Sequence, residues 1–398
     1  RRFRSHDHVM TLTFDELRPP CPHMDDTHSE WRRSVRGFVD KEIMPFVEDW
    51  EEAGRIPRDL FKKAKAAGIL GIGYPTEYGG EGIEFDRFHG IVTSEELARI
   101  GAGGVSSALM IHGIGLPPIM ALGTEEMKTE IGRQVLSGDK QISLGITEPS
   151  AGSDVAQLKT KAVKDGNGWR VNGSKTYITG GMTSKWLTTA VRTGGDGMGG
   201  ISLLLIDLEG EGVSRTELPK QGWWASDTAT IHFDDVFVPA DNIIGEVDKG
   251  FYGIMANFNG ERLGMAAGAA ASARVCVEEA AAWAQDRKTF GKRLADHQVI
   301  RHKLASMAQR VWATTTMLDT YAWHVQNGNT PVAELAMLKV QATETLEYCA
   351  REAMQILGGA GFIRGHRVER IYREVRVMAI GGGSEEIMRD LAARQLSV

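Results

Sequence analysis

Apolar residues recur at helical spacing along the first third of the chain. In the stretch from Ser29 to Ala53, Trp31, Val35, Phe38, Val39 and Ile43 fall on one helical face. The segment from Pro57 to Gly71 opens on proline and closes on glycine, as helices do. Glycine-rich sequence from Pro75 to Phe85 reads as a connector, and Asp86 to Gly103 as another helix with a glycine exit. Near residue 140 the period changes. From Trp169 to Gly181, Asn172-Gly173 stands between two strand-like runs and predicts a hairpin. From Thr228 to Pro239, Ala229, Ile231 and Phe233 alternate; Val236 and Val238 follow after a predicted turn at Asp234-Asp235. The apolar run Ile201–Leu208 reads as a buried strand. Helical spacing returns near residue 247. Leu335, Leu338, Ala342, Leu346, Cys349, Ala353 and Ile356 form one stripe, opened by Pro331 and stopped by Gly358-Gly359.

The order is helical, β, helical, which is not the strand-helix alternation of a doubly wound sheet. It predicts an α+β multidomain protein: an extension over 1–26, a helical domain over 27–139, an antiparallel β domain over 140–246 and a helical bundle over 247–398.

Composition adds limits. The chain has 398 residues, 42% hydrophobic and 25% charged, with a net charge of −6. That is globular composition with no basic block, so nucleic acid is not an expected partner. No apolar run reaches the ~18 residues of a membrane span. The basic start, residues 1–10, lacks the apolar core of a secretion signal and reads as an extension ahead of Met10, without assigned function. Cys21, Cys276 and Cys349 are too few and too far apart for a disulfide framework or a metal site, and a cytoplasmic location is expected. His112, His297, His302 and His324 are isolated and read as structural or surface groups, and no metal is expected.

Several stretches have chemical potential. Gly145 to Val155 offers Thr147, Ser150 and Ser153 hydroxyls beside flexible Gly152; it is either an anion- or heterocycle-binding loop or a surface turn. Asp286 to Gln298 brings Arg287 and Lys288, suited to phosphate, next to Phe290, suited to stacking; a solvated basic turn is the alternative. Gly260, Gly264 and Gly268 recur at every fourth position of a helix, where each costs ~1 kcal/mol against alanine. Such recurrence suggests close approach by another body, with Glu261 and Arg262 alongside. Gln355 to Phe362 and Gly381 to Ile387 could let main chain approach a ligand, or could punctuate helices, Ser384 being a good N-cap. Neither common glycine-rich nucleotide motif nor a hydrolase elbow is present.

Together, in this order, these stretches resemble the acyl-CoA dehydrogenase family over residues ~27 to 397. "TEPSAGSDVA" looks like the family's first signature and "QILGGAGFI" like its second; "VNGSKTYITGG", "SDTATIHFDDVFVP" and "DRKTFGKRLADHQ" match between them. The resemblance implies a helical, antiparallel β and four-helix-bundle architecture with FAD between the β domain and the C-terminal helices. By analogy Leu144, Ile146, Thr147, Gly152, Ser153, Tyr177, Ile178 and Thr179 would meet the flavin. Arg287, Thr289, Phe290, Gln298, Gln355, Gly358 and Gly359 would meet the diphosphate and adenine end, partly across a subunit boundary of a homotetramer, with Ser384 and Glu386 toward the adenosine. Ser153, Asn259, Arg262 and Gly382 would meet an acyl-CoA, and an electron-transferring flavoprotein would take the electrons.

The implied activity is α,β-dehydrogenation of an acyl-CoA to a trans-2-enoyl-CoA. Here the sequence departs from much of the family. Many members carry the catalytic glutamate just before the final helix, where this chain has Gly382. Isovaleryl-CoA and long-chain dehydrogenases carry it on an earlier helix just before arginine, which makes Glu261 the expected base and hints at a branched or longer chain. Gln157 replaces a small residue of the first signature, and Tyr177 stands where many relatives have tryptophan. A flavin oxidase or monooxygenase on the same fold, and a non-catalytic flavoprotein that binds a partner, are the competing readings.

Overall fold

The computed structural model describes residues 11–397 apart from Ile83; the side chains of Ala256, Asn257 and Asn259 are also outside the described set, as are the basic residues 1–10. Eight helices come first: α1 (Asp26–Phe38), α2 (Val47–Ala53), α3 (Asp59–Ala66), α4 (Arg87–Ala98), α5 (Gly103–Leu109), α6 (His112–Gly115), α7 (Pro117–Leu122) and α8 (Glu125–Leu136). The stripe Trp31, Val35, Phe38, Val39 and Ile43 is buried throughout, and a π turn after Phe38 keeps Val39 and Ile43 facing the same core. Asp86 caps α4, accepting from the main-chain N–H of Phe88 and His89 at 2.9 and 3.1 Å. Asp86→Ala is expected to cost about 1 kcal/mol from the lost cap, read as a lower thermal midpoint.

The β region is one eight-stranded sheet in the order β6-β7-β3-β2-β4-β5-β8, with β1 added beside β4. The strands are β1 (Ile142–Gly145), β2 (Lys161–Asp165), β3 (Gly168–Thr179), β4 (Trp186–Arg192), β5 (Ile201–Asp207), β6 (Val213–Glu217), β7 (Thr228–Pro239) and β8 (Ile243–Ile244). Pairing is antiparallel except that β1 and β2 run parallel to β4. Two sequence expectations are corrected here. Asn172-Gly173 is not a hairpin turn but lies inside β3; the chain reverses instead at Gly166-Asn167, where Gly166 has φ +54°. Nor is Asp234-Asp235 a turn between strands. Val171 pairs Val236 and Gly173 pairs Phe233, so both aspartates face the single Asn172 in a β-bulge, with Asp235 at φ +53°. The Asn172 side chain accepts from the Asp235 N–H at 2.9 Å, and a Cβ on Gly173 would lie 2.7 Å from the Thr160 Cα. The dipeptide thus serves close packing and a bulge rather than a reversal.

The remainder is helical: α9 (Gly250–Asp286), a two-stranded ribbon β9 (Lys288–Thr289) and β10 (Lys292–Arg293), α10 (Gln298–Gln326), α11 (Val332–Leu357), α12 (Gly359–Phe362), α13 (Arg367–Ile380) and α14 (Glu385–Gln395). The α11 stripe read from sequence packs against Ala266, Ala267, Ala273, Cys276 and Ala280 of α9. These small residues let the long helices approach closely, and α10 and α13 complete the bundle. Cys276 and Cys349 are buried within it, as expected of apolar thiols. Among the described residues no single helix is long and apolar enough to cross a membrane.

The extension is not idle over its described part. Phe14 and Leu17 are buried in the bundle core, and Arg18 donates to both carboxylate oxygens of Asp319 at 2.6 and 2.8 Å and to Glu95 at 3.0 Å. The strap therefore joins α4 to α10. Its apolar residues, Leu12, Phe14, Leu17, Cys21 and Met24, are interrupted by Pro19, Pro20 and Pro22, so the sequence alone did not mark it.

Candidate functional site

The loop after β1 is built, not loose. Lys175 on β3 points inward, wholly buried, and its ammonium donates to the Ile146 carbonyl at 3.0 Å and to Glu148 at 2.7 Å. Glu148 also accepts from the main-chain N–H of Lys159 and Thr160 at 2.6 and 2.9 Å. Burial draws the Lys175 ammonium down to about 8, with Glu148 opposing. Burial alone would raise Glu148, but the Lys175 charge and the donors around it hold that carboxyl below its ordinary value. The Thr147 carbonyl accepts from Thr176 N–H at 2.9 Å, so the loop is stitched to β3 on either side of Thr147.

The next β3 residue is turned outward by a second bulge. Lys175 pairs Ile231 and Ile178 pairs Ala229, leaving Thr176 and Tyr177 opposite Thr230. Tyr177 takes φ +59° and is 71% exposed. Ile146 and Ile178 send their side chains into the core, so they have only main chain to offer a ligand. Leu144, Thr147 and Thr179 are half-buried, and Gly152, Ser153 and Gln157 are exposed on the loop.

Across from this, α9 meets the loop 381–383. Glu261 is largely enclosed, and burial pushes its carboxyl up to about 7 against the pull of Arg262. Arg262 is buried, its guanidinium 5.9 Å from the Phe258 ring centre and its Nε 3.5 Å from the Gly382 carbonyl. Met265, one turn beyond Glu261 and on the same helical face, closes over Gly382: a Cβ there would lie 2.6 Å from the Met265 sulfur. Gly382 and Gly383 have φ +67° and +101°, which side chains rarely adopt. Among the described residues no acceptor takes the Gly382 N–H. Ser384 caps α14, and Glu386 is kept low by its own main-chain N–H and the Ser384 hydroxyl. The side chain of Asn259 lies outside the described residues.

The glycines at 260, 264 and 268 were expected to mark close approach. Within this chain they do not: a Cβ on Gly264 or Gly268 meets nothing within 4 Å, and one on Gly260 meets only Arg87 at 3.9 Å. Their face is open.

A further group stands apart and outward. Phe290 tips the β9–β10 ribbon at φ +50°, 97% exposed, and Thr289 bonds His297 at 3.1 Å. Arg287, Gln298, Gln355, Gly358 and Gly359 are all exposed, and a Cβ on either glycine would meet nothing within 4 Å. An exposed aromatic ring, an arginine and uncovered main chain suit a stacked, phosphate-bearing ligand. The open main chain at Gly152 and the upright Tyr177 suit a flat ring. The residues present therefore fit FAD.

Sequence reading missed Glu148, Lys175, Met265 and Lys339. The signal for both lysines was there: each occupies an inward position of an apolar pattern. His28, Asp86 and His89 also cluster closely enough for a metal ion. Asp86 already serves the α4 N–H groups and His28 Nε2, and the positive ends of α1 and α4 meet there. His112 is buried, bonds the Leu70 carbonyl and is drawn down to about 4 by burial, a structural role.

Comparison with known proteins covers most of the chain. Residues 25–139, 143–236 and 248–397 match the family models described as acyl-CoA dehydrogenase N-terminal, middle and C-terminal domains. The acyl-CoA dehydrogenase AFT10-1 of Alternaria alternata is 38% identical over 95% of this chain and 93% of its own. The mitochondrial long-chain specific acyl-CoA dehydrogenase of Rattus norvegicus is 34% identical over 93% of this chain and 86% of its own. A crystal structure of a probable acyl-CoA dehydrogenase from Mycobacterium abscessus superposes with a TM-score of 0.92 at 43% identity, covering 94% of this chain and 99% of that one.

Proposed function

Because the chain belongs to the acyl-CoA dehydrogenase family of FAD-dependent oxidoreductases, we propose that it oxidises an acyl-CoA to the trans-2-enoyl-CoA with Glu261 as the α-proton base. The observation that carries this is the pairing of Glu261 with Gly382. Gly382 stands where many relatives place the base, yet its left-handed φ disfavours a side chain, and one there would have to displace the end of the Met265 side chain. Glu261, a turn from Met265, is the enclosed carboxylate at that wall, and a base near 7 is matched to neutral pH. The unspent Gly382 N–H is suited to the thioester carbonyl as charge develops on its oxygen. FAD, when bound, supplies the acceptor for the β-hydride.

Leu144, Thr147, Gly152, Ser153, Tyr177 and Thr179, with the main chain of Ile146 and Ile178, would hold the flavin. Ser153, Asn259 and Arg262 would face the acyl-CoA. The outward group Arg287, Thr289, Phe290, Gln298, Gln355, Gly358 and Gly359, with Ser384 and Glu386, would serve the rest of FAD where copies of the chain meet, in a homotetramer. The long-chain relative and the position of Glu261 favour a branched or longer acyl chain, and an electron-transferring flavoprotein is the fitting acceptor. A panel of straight and branched acyl-CoA esters, followed by flavin bleaching, ranks the substrates; rapid reoxidation by air with peroxide release would instead mark an oxidase.

Since Glu261 must be deprotonated to act and burial raises it, kcat/KM is expected to rise with pH through about 7. A profile flat between pH 5.5 and 8.5 would contradict this.

A further inference from the structure

The loop that carries the Gly382 N–H includes two glycines at positive φ, Gly382 and Gly383, a conformation that nothing in a glycine backbone enforces. Something must hold it. Lys339 lies on α11, far in sequence from the loop, and is wholly buried. Its ammonium donates to the Ala379 carbonyl at 3.2 Å, near the end of α13, and to the Gly383 carbonyl at 2.8 Å. Those acceptors lie on either side of Gly382. From the α9 side, Arg262 approaches the Gly382 carbonyl at 3.5 Å. The stretch between α13 and α14 is thereby pinned at both ends and braced in the middle.

Burying an ammonium is costly unless its donors are used, and an apolar residue would fill the same position in the α11 stripe. The two carbonyls satisfied here flank Gly382, one on the last turn of α13 and one in the loop. Other polar contacts nearby have a different purpose: Thr343 bonds its own helix at 2.9 and 3.0 Å and touches Glu385 at 3.3 Å, supporting the start of α14 rather than the loop.

We propose that Lys339 is a positioning residue for the substrate's thioester carbonyl: it holds the glycine loop so that the Gly382 N–H is fixed in place before the substrate arrives. The inference rests on the reading that Gly382 serves that carbonyl. A donor placed in advance stabilises charge that develops in the transition state without reorganising at that moment. Its loss should therefore fall on kcat more than on KM.

The test uses the holoenzyme with the best acyl-CoA of the panel. Lys339→Met keeps length and removes the donors; Thr343→Val is the control, sharing the helix but not the loop. Both are assayed for FAD content, thermal midpoint, kcat and KM. Lys339→Met is expected to retain FAD and to hold KM within about twofold, while kcat falls about ten- to hundredfold, the scale of a misplaced reacting group. Thr343→Val is expected to lower the thermal midpoint with kcat near wild type. An unchanged kcat in Lys339→Met overturns the proposal, as does a parallel fall of kcat and thermal midpoint in both variants. Should Lys339→Met fail to fold, Lys339→Leu, which likewise lacks donors, is judged by the same criteria. If Glu261→Gln is inactive while Lys339→Met turns over normally, only this inference fails; if Glu261→Gln is fully active, the underlying reading fails with it.

Discussion

Glu261→Gln is expected to lower kcat by roughly 10²- to 10⁴-fold, the usual contribution of a positioned general base, with FAD content and thermal midpoint close to wild type. The amide is isosteric and cannot take a proton. It removes a carboxyl that burial disfavours in its charged form but that also offsets the buried Arg262 charge, and the two effects oppose each other, so only a small change in thermal midpoint is expected. That combination, dead but well folded and yellow, separates a base from a structural acid. Steady-state turnover beside flavin absorbance per chain checks it. The residual rate should also lose the rise through pH 7 seen in the wild type, since no titrating base is left.

Lys175→Met is expected to have the largest effect on stability, about 3–5 kcal/mol, the cost of leaving one partner of a buried ion pair. Glu148 would stay buried without its ammonium, and the Ile146 carbonyl would lose its donor. The pH dependence follows from sign. In the wild type Glu148 is held below its unfolded value, so its contribution is present above that value and is lost as pH falls through the folded one. Without Lys175 the burial of this carboxyl is opposed only by the Lys159 and Thr160 N–H donors, so the variant is expected to lose further stability as pH rises. Denaturation curves at pH 5 and pH 8 check this: the gap between variant and wild type should be wider at pH 8. Glu148→Gln in the Lys175→Met background should recover part of the loss. Because the pair stitches the Thr147 loop to β3, FAD content should fall as well.

Much of the architecture was legible in the sequence because it is periodic. The α1 and α11 stripes, the buried β5 run and the helical–β–helical order all follow from repeats that burial enforces. The bulges were not legible. Asn172-Gly173 has the chemistry of a hairpin turn, and only the close approach of Thr160 and the pairing with β7 turn it into mid-strand sequence. The strap was hidden because prolines break up its apolar residues.

The site divides in the same way. The expectation of Glu261 comes from the resemblance and the glycine at 382; the left-handed backbone there, with the Met265 sulfur above it, is visible only in the structure. Lys175 and Lys339 were passed over because a lysine in isolation reads as surface. What makes them informative is the set of main-chain carbonyls they meet, and those come from remote segments that no local pattern connects.

The central claim is that Glu261 takes the α-proton. Its most direct test is anaerobic mixing of each enzyme with an excess of the preferred acyl-CoA, with flavin absorbance followed in a single turnover. Wild-type enzyme is predicted to bleach within the mixing experiment and Glu261→Gln to stay coloured while still binding the ester. Bleaching of Glu261→Gln at the wild-type rate would contradict the account.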